Sequence, residues 1–124
     1  EANLRRLVSE LQLGGSVELT GPLPEADKDA VLRDAHFLLH TSQREGWGLN
    51  VIEANAMGTP AAVYPVEGLT ESTLNGETGI LSDDESPESL ADALCGALGK
   101  PADYERWRHA AWLRAQSFHW SRVL

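Results

Sequence analysis

The sequence predicts an α/β fold in which helices flank a Rossmann-like parallel sheet. Short apolar runs that are typical of strands alternate with longer segments whose apolar residues recur at helical spacing. Such alternation indicates βα units and a parallel sheet. The segment from His36 to His40 is mostly apolar through its middle, as expected of a strand covered on both faces.

The first two predicted elements are a helix and a strand. Apolar residues recur at helical spacing over residues 2–13, and Gly14 and Gly15 are typical of a helix end. Residues 16–20 alternate between polar and apolar side chains and stop at a Gly-Pro pair. This alternation predicts a short strand.

The next two elements are a polar helix and the apolar strand already described. The helix is predicted over residues 24–33, with Ala30, Val31 and Ala35 giving it an inner side. Because most of its other residues are charged or polar, the rest of the helix is expected to face water.

The remaining elements follow from glycine, proline and capping signals. Gly58 closes a helix that begins near Leu49, and Ser86 with Pro87 has the composition of a helix N-terminus. Residues 66–77 form a loop with one helical turn near residues 70–72. The predicted strands cover residues 16–20, 36–40, 59–64 and 78–81, and the later helices cover residues 49–57, 86–98 and 101–118.

The predicted sheet is small for its class. At 124 residues the chain is one domain at most. Four strands are fewer than the six of a Rossmann sheet, and the chain opens on a helix. We therefore expect the first strand or strands of the domain to be absent from residues 1–124.

Charge and cysteine content narrow the classes of function. The formal net charge is −9, which argues against a nucleic-acid-binding protein because such proteins need a basic face. No run approaches the length of a membrane span. Cys95 is predicted to be a buried thiol on the apolar side of its helix, which fits a reducing compartment. A cytoplasmic location is expected, with membrane association of the whole protein left open.

The stretch from His40 to Pro60 combines a strand, a glycine-containing turn and a helix. This unit presents backbone N–H groups to an anion. Glu45 lies in the turn, and Glu53 lies eight positions later, about one turn into the helix. Two carboxylates for hydroxyl groups and N–H groups for phosphate would suit a nucleotide sugar. Spacing alone leaves a second interpretation open, in which Glu53 favours the helix dipole and Glu45 is solvated.

Three ordered motifs resemble one enzyme family. The central motif runs from Glu45 through Glu53 to Pro60, the second runs from Gly68 to Leu81, and the third is the pair Phe118 and Trp120. Together they resemble the GT-B retaining glycosyltransferases, within the large group that contains bacterial mannosyl-, glucosyl- and N-acetylglucosaminyltransferases. The resemblance covers nearly all of the chain and implies part of the C-terminal, nucleotide-sugar-binding domain over residues 1–124.

The resemblance also implies roles for single residues. Glu53 matches the second glutamate of the family's Glu-x7-Glu motif, which holds the ribose hydroxyls of the nucleotide. Glu45 matches the first, which lies at the donor sugar and orients it or stabilises developing charge. The segment that contacts donor sugar and diphosphate matches Gly46, Trp47, Gly48 and Leu49. Transfer would retain the anomeric configuration, with no cofactor and no bound metal, and stabilising the leaving diphosphate would be the main catalytic task.

The chain also departs from the family pattern. The basic Arg and Lys pair that clamps the diphosphate in the family has no match in this sequence, and Arg44 is not its equivalent and is expected at the surface. The acceptor-binding N-terminal domain has no counterpart in residues 1–124. Glu67 stands where many relatives have Gly or Pro. We therefore expect this chain by itself to be inactive.

Other kinds of site have weaker support. His36 and His40 share one side of a strand, but the four histidines lack the ligand spacing of a zinc site. His40 follows the strand on the ligand side, where either a structural role or a polar contact fits. Trp107 and Trp112 are predicted to pack, and Ser42 and Ser72 have no positioned partners for a hydrolase triad.

The sequence thus predicts a retaining glycosyltransferase that moves a sugar from a nucleotide diphosphate to an acceptor. The partners would be the donor and, through the missing domain, a sugar, lipid or other acceptor. The alternatives are a non-catalytic nucleotide-sugar-binding module and a fragment that self-associates through an open sheet edge.

Overall fold

The computed structural model of the protein describes residues 2–41 and 49–117. The strands are β1 (Leu38–His40), β2 (Ala61–Val63) and β3 (Gly79–Leu81), and the helices are α1 (Ala2–Glu10), α2 (Glu25–Asp34), α3 (Leu49–Ala56), α4 (Leu69–Ser72), α5 (Pro87–Leu98) and α6 (Pro101–Ser117). Within these residues the strands form one parallel sheet in the order β1-β2-β3. The Rossmann-like α/β prediction is confirmed.

The predicted strand at residues 16–20 is wrong. The structure gives this segment no strand pairing, and Val17 is 40% exposed. Alternation of polar and apolar side chains is compatible with a strand. A strand also needs a neighbouring strand whose backbone groups donate and accept its hydrogen bonds. The described part of the chain offers it none.

The first helix ends earlier than the glycines suggested. Gln12 adopts a left-handed conformation with φ of 57°. The N–H of Leu13 donates to the carbonyl of Val8, and the N–H of Gln12 donates to that of Ser9, both at about 3 Å. This pair of bonds is a Schellman closure. Gln12, and not Gly14, therefore stops α1.

The core is built around β2. Its three residues, Ala61, Ala62 and Val63, are fully buried, and β2 lies between β1 and β3. Val51 of α3 and Leu69 of α4 belong to the same buried cluster. Small side chains in the central strand let the covering helices approach the sheet closely.

Gly79 makes a close backbone contact with β2. It pairs with Ala61 in the register of the sheet, and a Cβ added to Gly79 would lie 2.1 Å from the carbonyl oxygen of Ala61. That separation is far below any van der Waals contact. Glycine is therefore required at this position for the two strands to pair as they do.

Helix α6 contacts the segment that leads into β1 through a hydrogen bond and an aromatic ring contact. The hydroxyl of Tyr104 donates to the carbonyl of His36 at 2.8 Å, just before β1, and burial raises the pKa of this phenol. Its ring lies 5.4 Å from that of Phe37. Trp107 is buried, as predicted, whereas Trp112 is 44% exposed and stacks on His109.

Helix α5 begins as predicted but presents a different face. The Ser86 side chain accepts a hydrogen bond from the N–H of Ser89, and Pro87 is in the first turn. The buried residues of α5 are Leu90 and Ala97. Cys95 is exposed, so the prediction of a buried thiol is wrong. The chain buries the face centred on Leu90 and Ala97, which are seven positions apart, and Cys95 lies off that line.

Candidate functional site

A cleft lies beside the outer strand of the sheet, between α2, β1 and α3. Its volume is about 480 Å³. Leu32, Leu38 and Leu39 give it an apolar part, and five polar residues complete the lining. They are Lys28, His40, Thr41, Asn50 and Glu53. Apolar walls with a few convergent polar groups are typical of a small-molecule site.

The cleft extends along the whole of β1 and reaches its carboxyl end. His40 is the last residue of this strand and Thr41 follows it. In open parallel sheets, ligands bind in the crevice outside the carboxyl ends of the strands. The part of the cleft near His40 therefore has the position of a ligand site in the fold. From the sequence, both a structural and a binding role were open for His40.

Helix α3 directs Glu53 into the cleft because of the way its other residues are buried. Val51, Ile52 and Ala54 are at most 2% exposed and pack into the core. The face that remains carries Asn50 and Glu53, which are three positions apart and thus neighbours on the helix surface. Glu53 is the fifth residue of α3, about one turn in, as the sequence indicated.

The carboxylate of Glu53 is paired with a lysine from α2. The Lys28 Nζ lies 2.7 Å from Glu53 Oε2 and 3.3 Å from Glu25 Oε1. The side chains of Lys28 and Glu53 are each 37% exposed. Hydrogen bonds to Glu53 first, and to Glu25 second, raise the pKa of Lys28 above its ordinary value. The cleft therefore contains a charged pair of opposite sign.

The inner side of α2 differs from the sequence prediction. Val31 is 54% exposed and Ala30 is also exposed, so the prediction is wrong for these two residues, while Ala35 is partly buried as expected. Lys28 and Leu32, four positions apart, face the cleft instead. The helix has no fully buried residue. Its weak apolar pattern therefore did not determine which side packs.

Buried hydrogen bonds hold α2 against the sheet. The hydroxyl of Thr59 donates to the carbonyl of Leu32, and the side-chain amide of Asn55 donates to the carbonyl of Thr59 at 2.9 Å. Thr59 and Asn55 are at most 1% exposed. These two bonds connect α3 to α2 through Thr59, which lies two residues before β2. They hold together the two helices that carry Glu53 and Lys28.

Lys28 and Asn50 are the cleft residues that the sequence reasoning missed. The spacing of Lys28 and Leu32 is the signal in the sequence, but a lysine on a polar helix is usually solvated. Asn50 lies three positions before Glu53 on α3, so the same helical spacing would have placed it beside the glutamate.

Most of the predicted contact segment lies outside the described residues. This applies to Glu45, Gly46, Trp47 and Gly48, and also to Arg44. Leu49 is the first residue of α3. Of the two glutamates that the sequence singled out, Glu53 is thus the one whose surroundings the structure gives.

The second motif forms the turn that leads into β3. Gly68 precedes α4 with φ of 90°, and Gly76 has φ of 78°. The side-chain oxygen of Asn75 accepts from the N–H of Leu81 at 3.0 Å, and that of Thr78 accepts from the N–H of Leu74 at 2.9 Å. These bonds give the motif a structural function.

Two further findings concern metals and membranes. Within residues 2–41 and 49–117, no three His, Cys, Asp or Glu side chains are grouped so that they could hold a metal ion. None of the helices in this part of the chain combines the length and apolar character needed to cross a bilayer.

The parallel sheet and the cleft at its carboxyl edge define a Rossmann-like α/β protein. The chain belongs to the family described as glycosyl transferases group 1, whose model matches residues 1–114.

Curated relatives include two D-inositol 3-phosphate glycosyltransferases. The one from Pseudarthrobacter chlorophenolicus is 34% identical over 123 residues, which are 99% of this chain and 29% of the relative. The one from Corynebacterium glutamicum is 34% identical over 117 residues, or 94% of this chain and 28% of the relative. The chain thus spans less than a third of the length of these relatives.

Solved structures of GT-B glycosyltransferases share the fold. Sucrose-phosphate synthase from Thermosynechococcus elongatus superposes with a TM-score of 0.90 at 29% identity, covering 98% of this chain and 31% of the other. HepE from Anabaena in complex with UDP superposes with a TM-score of 0.85 at 21% identity, covering 94% and 32%.

Proposed function

We propose that this chain forms part of the donor site of a retaining glycosyltransferase, which moves a sugar from a nucleotide diphosphate to an acceptor. The observation that carries the proposal is the position of Glu53. Its carboxylate faces a cleft of about 480 Å³ that extends along β1 and reaches its carboxyl end, where ligands of parallel sheets bind. Membership of the glycosyl transferases group 1 family supports a sugar-transfer reaction.

Glu53 would bind the ribose of the donor. A carboxylate has two oxygens with about four acceptor positions and can accept hydrogen bonds from two vicinal hydroxyls. The bond from Lys28 is to Oε2, which leaves Oε1 and the second lone pair of Oε2 for the hydroxyls. Asn50, one turn earlier on the same face, would supply a further amide.

Glu45 would act at the sugar, and the backbone of residues 46–49 at the diphosphate. Cleavage of the bond from the anomeric carbon to the leaving diphosphate oxygen leaves positive charge on the sugar. A carboxylate near that carbon would stabilise the charge, and N–H groups would stabilise the departing diphosphate. The acceptor oxygen would then form the new bond on the same face while its proton passes to the departing diphosphate oxygen, which gives retention, and no metal is required by this scheme.

Uracil is the first base to test. HepE from Anabaena has been solved with UDP and with UDP-glucose, with TM-scores of 0.85 and 0.83 to this chain. At about 20% identity this likeness concerns the fold, so GDP and ADP belong in the same experiment. The names of the curated relatives suggest an inositol phosphate as the first acceptor to try.

The experiment is a calorimetric titration of the protein, in the full length that its gene encodes, with UDP, GDP and ADP. We expect one of them to bind, and Glu53→Gln to weaken that binding about tenfold or more, since a hydrogen bond to a charged group contributes about 1.5–3 kcal/mol. Glu85→Gln makes the same charge change at an exposed loop position and should leave binding unchanged. Absence of binding by all three nucleotides at millimolar concentration would refute a donor site.

A self-associating role is the second candidate. Among the described strands, β1 is hydrogen-bonded on one side, to β2, and Leu39 is 51% exposed. An unpaired strand edge with an exposed leucine can pair with another copy. Molar mass by light scattering distinguishes the two candidates, because a strict monomer that binds nucleotide supports the donor site alone.

A further inference from the structure

The two lysines of the chain, Lys28 and Lys100, have very different positions. Lys28 lies in the cleft with its ammonium on the carboxylate of Glu53, whereas Lys100 is exposed between α5 and α6. We propose that Lys28 is a positioning residue, which holds the Glu53 carboxylate in the orientation that receives the ribose hydroxyls. This inference rests on the proposed function and adds a residue to it.

The first step concerns geometry. Glu53 is 37% exposed, so packing alone does not hold the end of its side chain. The 2.7 Å contact from Lys28 fixes one carboxylate oxygen. Lys28 is in turn held by Glu25 at 3.3 Å, one turn earlier on α2. The carboxylate is thereby oriented from a different helix, and α2 itself is fastened to the sheet through Leu32 and Thr59.

The second step concerns charge. The protein has a formal net charge of −9, and a nucleotide diphosphate is also an anion. An unpaired carboxylate in the cleft would repel it. The ammonium of Lys28 offsets the charge of Glu53 while leaving acceptor positions on the carboxylate, so this pair can accept hydroxyl groups with no net charge of its own. Glu25, the second partner of Lys28, is 80% exposed, so water and salt screen its charge.

The third step separates positioning from stability. Partly exposed ion pairs contribute little to the free energy of unfolding. Replacing Lys28 with Met keeps an unbranched stem against the apolar part of the cleft and removes the ammonium. Unfolding of Lys28→Met is therefore expected to stay close to that of the wild type, while ligand recognition changes.

The test compares ribose with deoxyribose. The protein in its full encoded length is titrated with whichever of UDP, GDP and ADP it binds best and with the matching 2′-deoxynucleotide. Wild type should prefer the ribonucleotide by about tenfold, the size expected for one hydrogen bond to a charged group. Lys28→Met should reduce this preference at least threefold, Lys28→Arg should retain most of it, and Lys100→Met, which makes the same charge change, should retain all of it.

A double variant provides the second readout. If Lys28 acts through Glu53, adding Lys28→Met to Glu53→Gln causes no further loss of the ribose preference. An unchanged preference in Lys28→Met overturns the proposal. A second result would also overturn it: Lys28→Met lowers the affinity equally for the ribonucleotide and the deoxyribonucleotide, but does not lower the affinity for the nucleoside, which has no phosphate. That pattern would assign Lys28 to the phosphates. If the wild type binds none of the nucleotides, the proposed function fails with it, and this result is distinct from the other two.

Discussion

The indole Nε1–H of Trp107 donates a hydrogen bond to the carbonyl of Gly76 at 3.0 Å. This bond joins the middle of α6 to the turn before β3, across 31 positions of the sequence. Gly76 adopts φ of 78° in that turn. The last helix therefore fixes the conformation of the second family motif, and the buried Trp107 ring packs against the core at the same time.

Trp107→Phe is expected to lower the free energy of unfolding by about 1–3 kcal/mol, because it removes this hydrogen bond and part of a buried ring. Denaturation in urea, followed by far-ultraviolet circular dichroism, measures the change. Trp112→Phe is the matched control, since Trp112 is 44% exposed, and it should cost less than about 0.5 kcal/mol. Equal losses in the two variants would contradict the structure.

Two glycine substitutions are expected to change the stability of the protein in opposite directions. Gly79→Ala places a Cβ against the Ala61 carbonyl and should destabilise the protein by about 1–3 kcal/mol or more. Gly96→Ala lies in the interior of α5 with open space around the added methyl group and should stabilise it by about 0.5–1 kcal/mol. Thermal unfolding of both variants checks the prediction, and a stabilising Gly79→Ala would show that the strands are further apart than described.

The two glutamates of the central motif are expected to differ in kinetics. Glu53→Ala should raise KM and weaken nucleotide binding more than Glu45→Ala does, because Glu53 is assigned to the ribose. Glu45→Ala should lower kcat more than it changes binding, because its assigned interaction develops with charge in the transition state. Steady-state kinetics with the full-length protein and its donor measure both effects. The reverse pattern would exchange the two roles.

The pKa of Lys28 is expected to depend on Glu53. Glu53→Gln should lower the Lys28 pKa toward its ordinary value of 10.5, since the hydrogen bond to Glu53 is the largest cause of its rise. The Cε resonances of the lysines in ¹³C spectra report this titration, with Lys100 as internal reference. No difference between wild type and variant would show that the pair does not form in solution.

The direction of the Lys28 pKa shift also determines the pH range in which the pair with Glu53 contributes to stability. The pKa of Lys28 is higher in the folded protein than in the unfolded chain. The contribution of the pair to stability, as far as the charge of Lys28 is concerned, is therefore fully present below the ordinary lysine pKa of 10.5, and it is lost as the pH rises through the folded pKa. The ribose preference of the wild type should accordingly be constant, as far as Lys28 is concerned, between pH 6 and pH 9.

Much of the fold could be predicted because local patterns and burial agree. The strand before Glu45, the helix that carries Glu53 and the Ser86 cap lie close to their expected places. The wrong predictions occurred where a local pattern has no tertiary support. Residues 16–20 alternate, but no strand lies beside them in the part of the chain that the structure describes. Helix α2 carries too few apolar residues to specify its inner side.

The part of the candidate site that lies on α3 was predictable because its local pattern agrees with its burial. Glu53 follows a strand and occupies a helix whose apolar residues determine its orientation. Lys28 belongs to an earlier element, and its approach to Glu53 depends on how α2 packs on α3. Such a contact between distant segments is a property of the packed chain, and the spacing of residues along one element does not contain it.

The fully buried strand β2 has a consequence for how this site can change. Val51 of α3 packs in the same buried cluster as β2, so the side-chain volumes on the face of β2 that meets α3 set the height of that helix above the sheet. A methyl group added there would displace Glu53 relative to Thr41 without touching any ligand. The shape of the cleft can thus be adjusted from inside the protein, because the interior strand sets the position of the helix that carries Glu53.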